Sequence, residues 1–208
     1  MPTAADSSIV DMLARARAGD QKELGRLFEA CRSYLGIMAR AQMESWMQAK
    51  VDASDIVQET LLEAHRDFAR FQGGTAAEWL AWLRGILSNN AADVVRKYRG
   101  TEKRQTRREV SLKTPSDDSG VRGVPELADS IETPSIQLMR QERELQVANA
   151  MVGLAPDYQQ VIILRNLQRL PFDEVAKQMG RSRPAVQMLW MRAIRKLQEV
   201  LVGDGGDV

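Results

Sequence analysis

Three observations in the sequence predict an all-α fold in two small domains. From Ser8 to about Tyr98, apolar residues recur at three-and-four spacing with almost no alternating runs of the kind strands need. Between about Thr106 and Thr133 the composition shifts to Ser, Pro, Gly and Asp, as in "KTPSDDSGVRGVPELADS", a stretch too poor in apolar side chains to offset its own ordering entropy. Helical spacing then resumes and closes with a pair of helices joined at a glycine corner. The expected division is a first helical domain over 1–105, a flexible linker over 106–132, a second helical domain over 133–202 and a disordered tail over 203–208.

In the first domain, the spacing predicts helices near 8–18, 20–48, 53–71 and 76–99, the last two separated by "FQGGTAAE", where Gly73 and Gly74 break the pattern. In the second, Thr133 is the expected N-cap of a helix with Pro134 at its first position. Two more helices and the terminal pair are expected to follow. The pair is the best-marked element. "FDEVAKQMG" places Phe172, Val175, Ala176 and Met179 at helical spacing, Gly180 suits the left-handed position that closes a helix, and Ser182 suits the cap of the next. Pro184 fits the first turn of that next helix, where its missing N–H has no partner to lose. The result is a helix-turn-helix pattern with the second helix running from Arg183 to about Val200.

Projected at about 100° per residue, that helix gathers Val186, Trp190, Ala193, Ile194 and Leu197 in one apolar sector and Pro184, Ala185, Met188, Arg192, Arg195 and Lys196 opposite, with Gln187 on the flank. A basic face after a capped glycine corner has the geometry for the major groove of DNA. Arg183 begins the helix, Gln187 suits a base edge, Arg192 a guanine or a phosphate, and Arg195 with Lys196 the phosphates. Basic residues also cluster at Arg96, Lys97, Arg99, Lys103, Arg104, Arg107 and Arg108, although the chain of 208 residues has a formal net charge of only +1. In "DIVQETLLEAHRDFARF" the apolar face holds Ile56, Val57, Thr60, Leu61, Ala64, Phe68 and Phe71, and Leu62 falls outside it beside Gln58 and Glu59. A leucine set among polar residues there suits a surface that docks a partner.

The same residues argue against other classes. One cysteine, Cys31, leaves no disulfide framework and no multi-cysteine metal site. His65, the single histidine, sits on an amphipathic helix as an ordinary surface residue, and "FQGGTAAE" lacks the lysine and preceding strand of a phosphate-binding loop. No catalysis, cofactor or metal is expected. The N-terminal "MPTAADSSIVDM" reads as no signal peptide and no run reaches eighteen apolar residues, so the expectation is a soluble, cytoplasmic protein without a membrane partner.

"DASDIVQETLLEAHRDFARF", then "WLAWLRGILSNNAADVVRKYR", then the linker, then "LAPDYQQVIILRNLQRLPFDEVAKQMGRSRPAVQMLWMRAIRKL" together resemble a bacterial extracytoplasmic-function sigma factor, a promoter-specificity subunit of RNA polymerase. The resemblance implies that Asp55, Gln58, Glu59 and Leu62 dock on a coiled coil of the largest polymerase subunit. It implies that Phe71, Gly73, Gly74 and Asn89 recognise the minus-ten promoter element and capture a flipped base, with Asn90, Arg96 and Lys97 along the backbone. It places Arg183, Pro184, Gln187, Met188, Arg192, Arg195 and Lys196 at the minus-thirty-five element. Implied partners are core RNA polymerase, through that coiled coil and the flap, promoter DNA, and an anti-sigma factor. Four features depart from the family's pattern: a long "FQGGTAAEW" loop, Arg84 in place of an aromatic residue, apolar Met188, Leu189 and Met191 on the recognition helix, and Pro171 where a capping serine is frequent. Two other classes share the residue pattern: a free-standing helix-turn-helix regulator that binds DNA without polymerase, and an antagonist that only binds polymerase. The sequence leaves open how the two domains pack.

Overall fold

A computed structural model describes residues 8–43, 47, 50–109 and 134–203, with backbone alone for 99–109 and 134–142. The described residues form eight α-helices and no strand: α1 (Ile9–Arg17), α2 (Gln21–Gln42), α3 (Ala53–Asp67), α4 (Ala76–Glu109), α5 (Pro134–Val152), α6 (Pro156–Ile162), α7 (Phe172–Met179) and α8 (Arg183–Gly203). A 3-10 turn, Phe68–Arg70, follows α3, and α6 continues through a wider π turn, Ile163–Leu167.

Local chemistry sets the early helix starts. Ser8 accepts from the N–H of Asp11, Asp20 from those of Lys22 and Glu23, and Asp52 from that of Ser54. Each oxygen satisfies a donor that the first turn leaves without a partner, and the two aspartates also complement the positive end of their helices. That bond from Ser54 is the main reason the Asp52 carboxyl titrates below its usual range.

The first core lies between α2, α3 and α4. Leu27, Cys31 and Leu35 meet Ile56 and Ala64 and, from α4, Trp79, Leu80, Leu83 and Leu87, all essentially out of solvent. Trp79 is its centre: its indole N–H donates to Cys31 Sγ at 3.3 Å, and the rings of Phe28, Phe68, Phe71 and Trp82 surround it at 5.2–5.9 Å. A tryptophan can be this deep only because its one polar atom has a partner.

The second core joins the inner faces of α5, α6 and α8 around Val161, Ile162, Ile163, Leu164, Val186 and Ala193. Because Val161 to Leu164 are buried on all sides, the chain winds without a break from Pro156 to Leu167. One continuous helix therefore stands between α5 and the terminal pair where two were expected.

Other boundaries shift as well. The helix expected over 20–48 stops at Gln42, where Met43 turns to extended backbone (φ −81°, ψ 125°). The side-chain amide of Gln168, from the second core, donates to the carbonyls of Ala41 (3.0 Å) and Met43 (3.3 Å) that this ending releases. The helix expected to end near 99 continues to Glu109, through the first residues of the expected linker. The last helix runs to Gly203, the first residue of the expected tail; the rest of that tail, the rest of the linker and the Thr133 cap lie outside the described residues.

The two cores lie against each other, α5 packing on α2 and α4. Arg40 on α2 donates to Gln159 Oε1 at 2.7 Å, while Gln159 Nε2 reaches the carbonyls of Val152 (3.2 Å) and Leu154 (2.8 Å). Burial lowers the pKa of the Arg40 guanidinium, with the Asp52 carboxylate opposing that effect. Arg84 donates to the Tyr34 hydroxyl at 3.1 Å and pairs with Glu144 of α5 at 3.8 Å, so the position that departs from the family's aromatic serves this junction.

Candidate nucleic-acid interface

Helix α3 divides its residues as the 100° projection requires. Ile56, Val57, Thr60 and Ala64 are buried, whereas Asp55, Gln58, Glu59 and Leu62 lie on the exposed side, Leu62 with 67% of its surface open. The four sequence-predicted docking residues thus form one strip with a leucine at its end. His65, also exposed, rests its ring 5.7 Å from that of Phe28.

Between α3 and α4 the chain crosses residues 71–75 without regular structure. Phe71 is half-buried, stacked on Trp82 with ring centres 5.0 Å apart and planes at 28°. A Cβ at Gly73 would stand 2.6 Å from the Phe71 ring and 2.7 Å from Glu78 Cβ, so the chain passes there only as glycine. Thr75 caps α4: its hydroxyl accepts from the N–H of Glu78 (3.2 Å), and the Glu78 carboxylate accepts from the N–H groups of Gly74 (2.8 Å) and Thr75 (3.0 Å) and from the Thr75 hydroxyl (2.9 Å). This is a capping box extended by one residue into the loop. Those bonds, the one from the Thr75 hydroxyl foremost, hold the Glu78 carboxyl below its usual pKa. From the other side, Arg17 at the end of α1 donates to the carbonyls of Phe71 (3.1 Å) and Gly73, its guanidinium carbon 5.3 Å from the Phe71 ring centre.

Beyond the loop, Asn89 is exposed on α4. Asn90 is half-buried and donates to Thr60 Oγ1 at 3.3 Å, so its amide ties α4 to α3. Arg96 and Lys97 are exposed one turn and more further on, Arg96 paired with Asp93. The structure thus brings Phe71, Gly73 and Gly74 together in one loop, with Asn89, Arg96 and Lys97 spaced along the helix that leaves it.

The terminal pair has the corner that its residues predict. Gly180 is left-handed (φ 62°, ψ 31°), Ser182 Oγ accepts from Ala185 N–H at 3.4 Å, and Pro184 occupies the first turn of α8. Val186, Ala193 and Leu197 are buried, while Arg183, Pro184, Met188, Arg192, Arg195 and Lys196 are exposed and Gln187 is half-buried. Trp190 is half-buried and anchors the helix through its indole N–H on Asn166 Oδ1 (2.9 Å) and an edge contact with Phe172 (5.7 Å). Arg183 pairs with Asp173 at 3.3 Å across the corner and Lys196 with Glu199 at 3.1 Å. Met188 and Met191 each keep 51% of their surface exposed. Pro171 precedes α7 with no side-chain bond to its first turn, a missing cap worth about 1 kcal/mol.

Two residues of this surface, Glu78 and Arg17, are not singled out by the sequence reasoning. Thr75 and Glu78 stand at capping-box spacing, a local signal sufficient to find Glu78; Arg17 meets the loop from 54 positions away and leaves none. Among the described residues no group of three or more His, Cys, Asp and Glu side chains is placed to hold a metal ion, and no helix is long and apolar enough to cross a membrane.

Comparison with known proteins agrees with this division. The family model for sigma-70 region 2 matches residues 24–101, and that for sigma-70 region 4 matches residues 144–197. The chain is 30% identical over 206 residues to the ECF RNA polymerase sigma factor BldN of Streptomyces coelicolor, an alignment covering 97% of this chain and 70% of BldN. It is 28% identical over 189 residues to the probable RNA polymerase sigma factor RfaY of Xanthomonas campestris, covering 90% of this chain but only 42% of RfaY. Among solved structures, that of CnrH in complex with the cytosolic domain of CnrY aligns with 95% of this chain and 99% of CnrH at 21% identity and a TM-score of 0.37. With region 2 holding the α3 strip and the 71–75 loop and region 4 holding the helix-turn-helix, the chain belongs to the extracytoplasmic-function RNA polymerase sigma factors.

Proposed function

We propose that this sigma factor divides its work among three exposed surfaces. The strip Asp55, Gln58, Glu59 and Leu62 docks on core RNA polymerase, at a coiled coil of its largest subunit. The loop from Phe71 to Thr75, with Asn89, Arg96 and Lys97 beyond it, takes the opened minus-ten strand, the loop selecting an unstacked base and the cations following the phosphates. Asn90, engaged by Thr60, supports this surface from within. Helix α8 reads the minus-thirty-five element in the major groove through Gln187 and Arg192, with Arg183, Arg195 and Lys196 on phosphates and Met188 with Pro184 against thymine methyl groups. The protein acts in the cytoplasm, by binding alone and with no catalytic step of its own.

The observation that carries this reading is the leucine of α3: an apolar side chain with 67% of its surface open, in a strip of polar residues with no DNA-binding character of its own. A free-standing regulator has no use for it, and a polymerase subunit does.

The test is reconstitution of the purified chain with core bacterial RNA polymerase on a pool of genomic promoter fragments. Co-elution with core and defined transcript starts are expected. Tight specific DNA binding by the chain alone, without co-elution, would replace this reading with the free-standing regulator. Leu62→Asp should abolish co-elution while leaving the thermal midpoint unchanged, because the side chain contributes little to the core. Arg192→Ala should weaken use of promoters by about 1–3 kcal/mol, that is several-fold to a hundredfold, without touching co-elution. A parallel fall in both measurements for Arg192→Ala would remove the division of labour.

A further inference from the structure

We infer that Arg17 is a positioning residue for base selection: from helix α1 it fixes the 71–75 loop in the shape that discriminates among bases at the minus-ten element, without itself touching DNA. This rests on the reading of that loop proposed above.

The loop has no backbone ladder of its own. Its outward polar groups are held by side chains from two different helices. Glu78 of α4 takes the N–H groups of Gly74 and Thr75. Arg17 of α1 takes the carbonyls of Phe71 and Gly73 and lies over the Phe71 ring. The two clamps act on opposite sides of the residue where a Cβ has no room, Gly73. Phe71 is fixed in turn against Trp82 and Trp79. Release of Arg17 therefore frees the carbonyl side of the loop while the capping box still anchors its end.

Arg17 is exposed, and hydrogen bonds at an exposed site add little to global stability once the entropy of a long side chain is counted. The local effect is different in kind. A short irregular loop released on one side samples many arrangements, and the apparent affinity of a site falls by the fraction of time it spends in the competent one. A loop competent one-tenth of the time loses about tenfold in affinity for the base that its competent shape captures and nothing for bases that this shape does not capture, so the preference falls by the same factor. Lysine cannot reproduce the contact fully: both bonds leave one guanidinium nitrogen, Nη2, and an ammonium has donors enough for the two carbonyls, but it has no planar cation to stack on the Phe71 ring.

The experiment uses full-length protein reconstituted with core polymerase and the promoter recovered from the fragment pool. Open-complex formation is measured on duplexes carrying each of the alternative bases at every non-template position of the minus-ten element, for the parent chain and for Arg17→Ala, Arg17→Lys and Phe71→Ala. For Arg17→Ala we expect unchanged co-elution with core and an unchanged thermal midpoint. The preference for the best base over the others should fall about tenfold, with the salt dependence of opening kept and with partial recovery in Arg17→Lys. An equal loss on every base, or a reduced salt slope, would make Arg17 a structural or phosphate contact and overturn the inference. If Phe71→Ala lowers the preference and Arg17→Ala does not, the loop selects the base and Arg17 does not position it. If neither variant changes the preference, the loop reading itself fails and the inference falls with it.

Discussion

Cys31 shows how far one side chain's chemistry follows from its surroundings. It is fully buried beneath Trp79, and burial pushes its thiol from the usual 9.0 up to about 11, an effect the indole N–H only partly opposes. Tyr34 moves in the same direction, from 10.0 to about 12, again chiefly through burial. Both groups are neutral when protonated, so the folded chain holds their protons to higher pH than the unfolded chain does. Stability is therefore fully present below pH 9 and falls between about 9 and 11 for Cys31, with the tyrosine extending the loss. For the thiol alone the loss across that window amounts to about 2–3 kcal/mol. Urea unfolding at about pH 8 and about pH 10.5, on either side of the thiol's usual value, measures it. Cys31→Ala should be less stable than the parent at the lower pH and should lose less on going to the higher one. An equal loss in the two chains would remove the thiol from the account. The sequence shows a single cysteine at helical spacing and so excludes an internal disulfide, but its depth depends on Trp79, 48 positions away. Leu62 was legible because its own helix assigns its face; Arg17 was not, because its partners lie in another element.

Helix ends sort the same way. The corner at Gly180 and Ser182 is local chemistry, and its residues announce it. The end of α2 at Gln42 carries no glycine or proline, and its released carbonyls are met by Gln168 from the other core. The end of α6 is a further case. After the π turn, Arg169 adopts φ 56°, and the N–H of Leu170 returns to the carbonyl of Leu164 at 3.0 Å. A left-handed position costs an L-residue about 1–2 kcal/mol and glycine almost nothing, while glycine gives back about 0.5–1 kcal/mol through the greater freedom of its unfolded chain. Arg169→Gly should therefore stabilise region 4 by about 0.5–1 kcal/mol, read as a higher urea midpoint with an unchanged slope. Thr75→Ala tests the other kind of end. It removes the cap hydroxyl of α4 and should cost about 1 kcal/mol. The shallow acid-side loss of stability that Glu78 contributes should shrink with it, since a carboxyl held below its ordinary pKa stabilises above that pKa and stops doing so as pH falls through the folded value.

At the scale of the molecule, the two matched regions share a junction that the sequence left open. Arg40 on Gln159 of α6, Gln168 on the end of α2 and Arg84 of α4 between Tyr34 and Glu144 are polar contacts of the junction at which α5 and the end of α6 meet α2 and α4. A compact chain of this length has a radius of gyration of about 17 Å. Promoter elements about 25 base pairs apart are separated by about 85 Å at 3.4 Å per base pair. One packed body cannot cover both, so if the proposed surfaces take the two elements they work together only after α5 leaves α2. On that reading core polymerase would bind the separated form, and any contact that holds the packed form would weaken apparent affinity for core by the same factor. Arg40→Ala isolates that effect. It leaves Gln159 Oε1 buried without its donor, a penalty of about 1–3 kcal/mol that falls on the packed form alone. The expected result is a lower thermal midpoint for the free chain, a larger radius of gyration in solution scattering, and tighter binding to core by several-fold or more. Gln168→Ala should move all three in the same direction, since it strips the donor from the carbonyls of Ala41 and Met43. A lower midpoint with unchanged or weaker core binding would show that the junction serves stability and does not compete with holoenzyme formation.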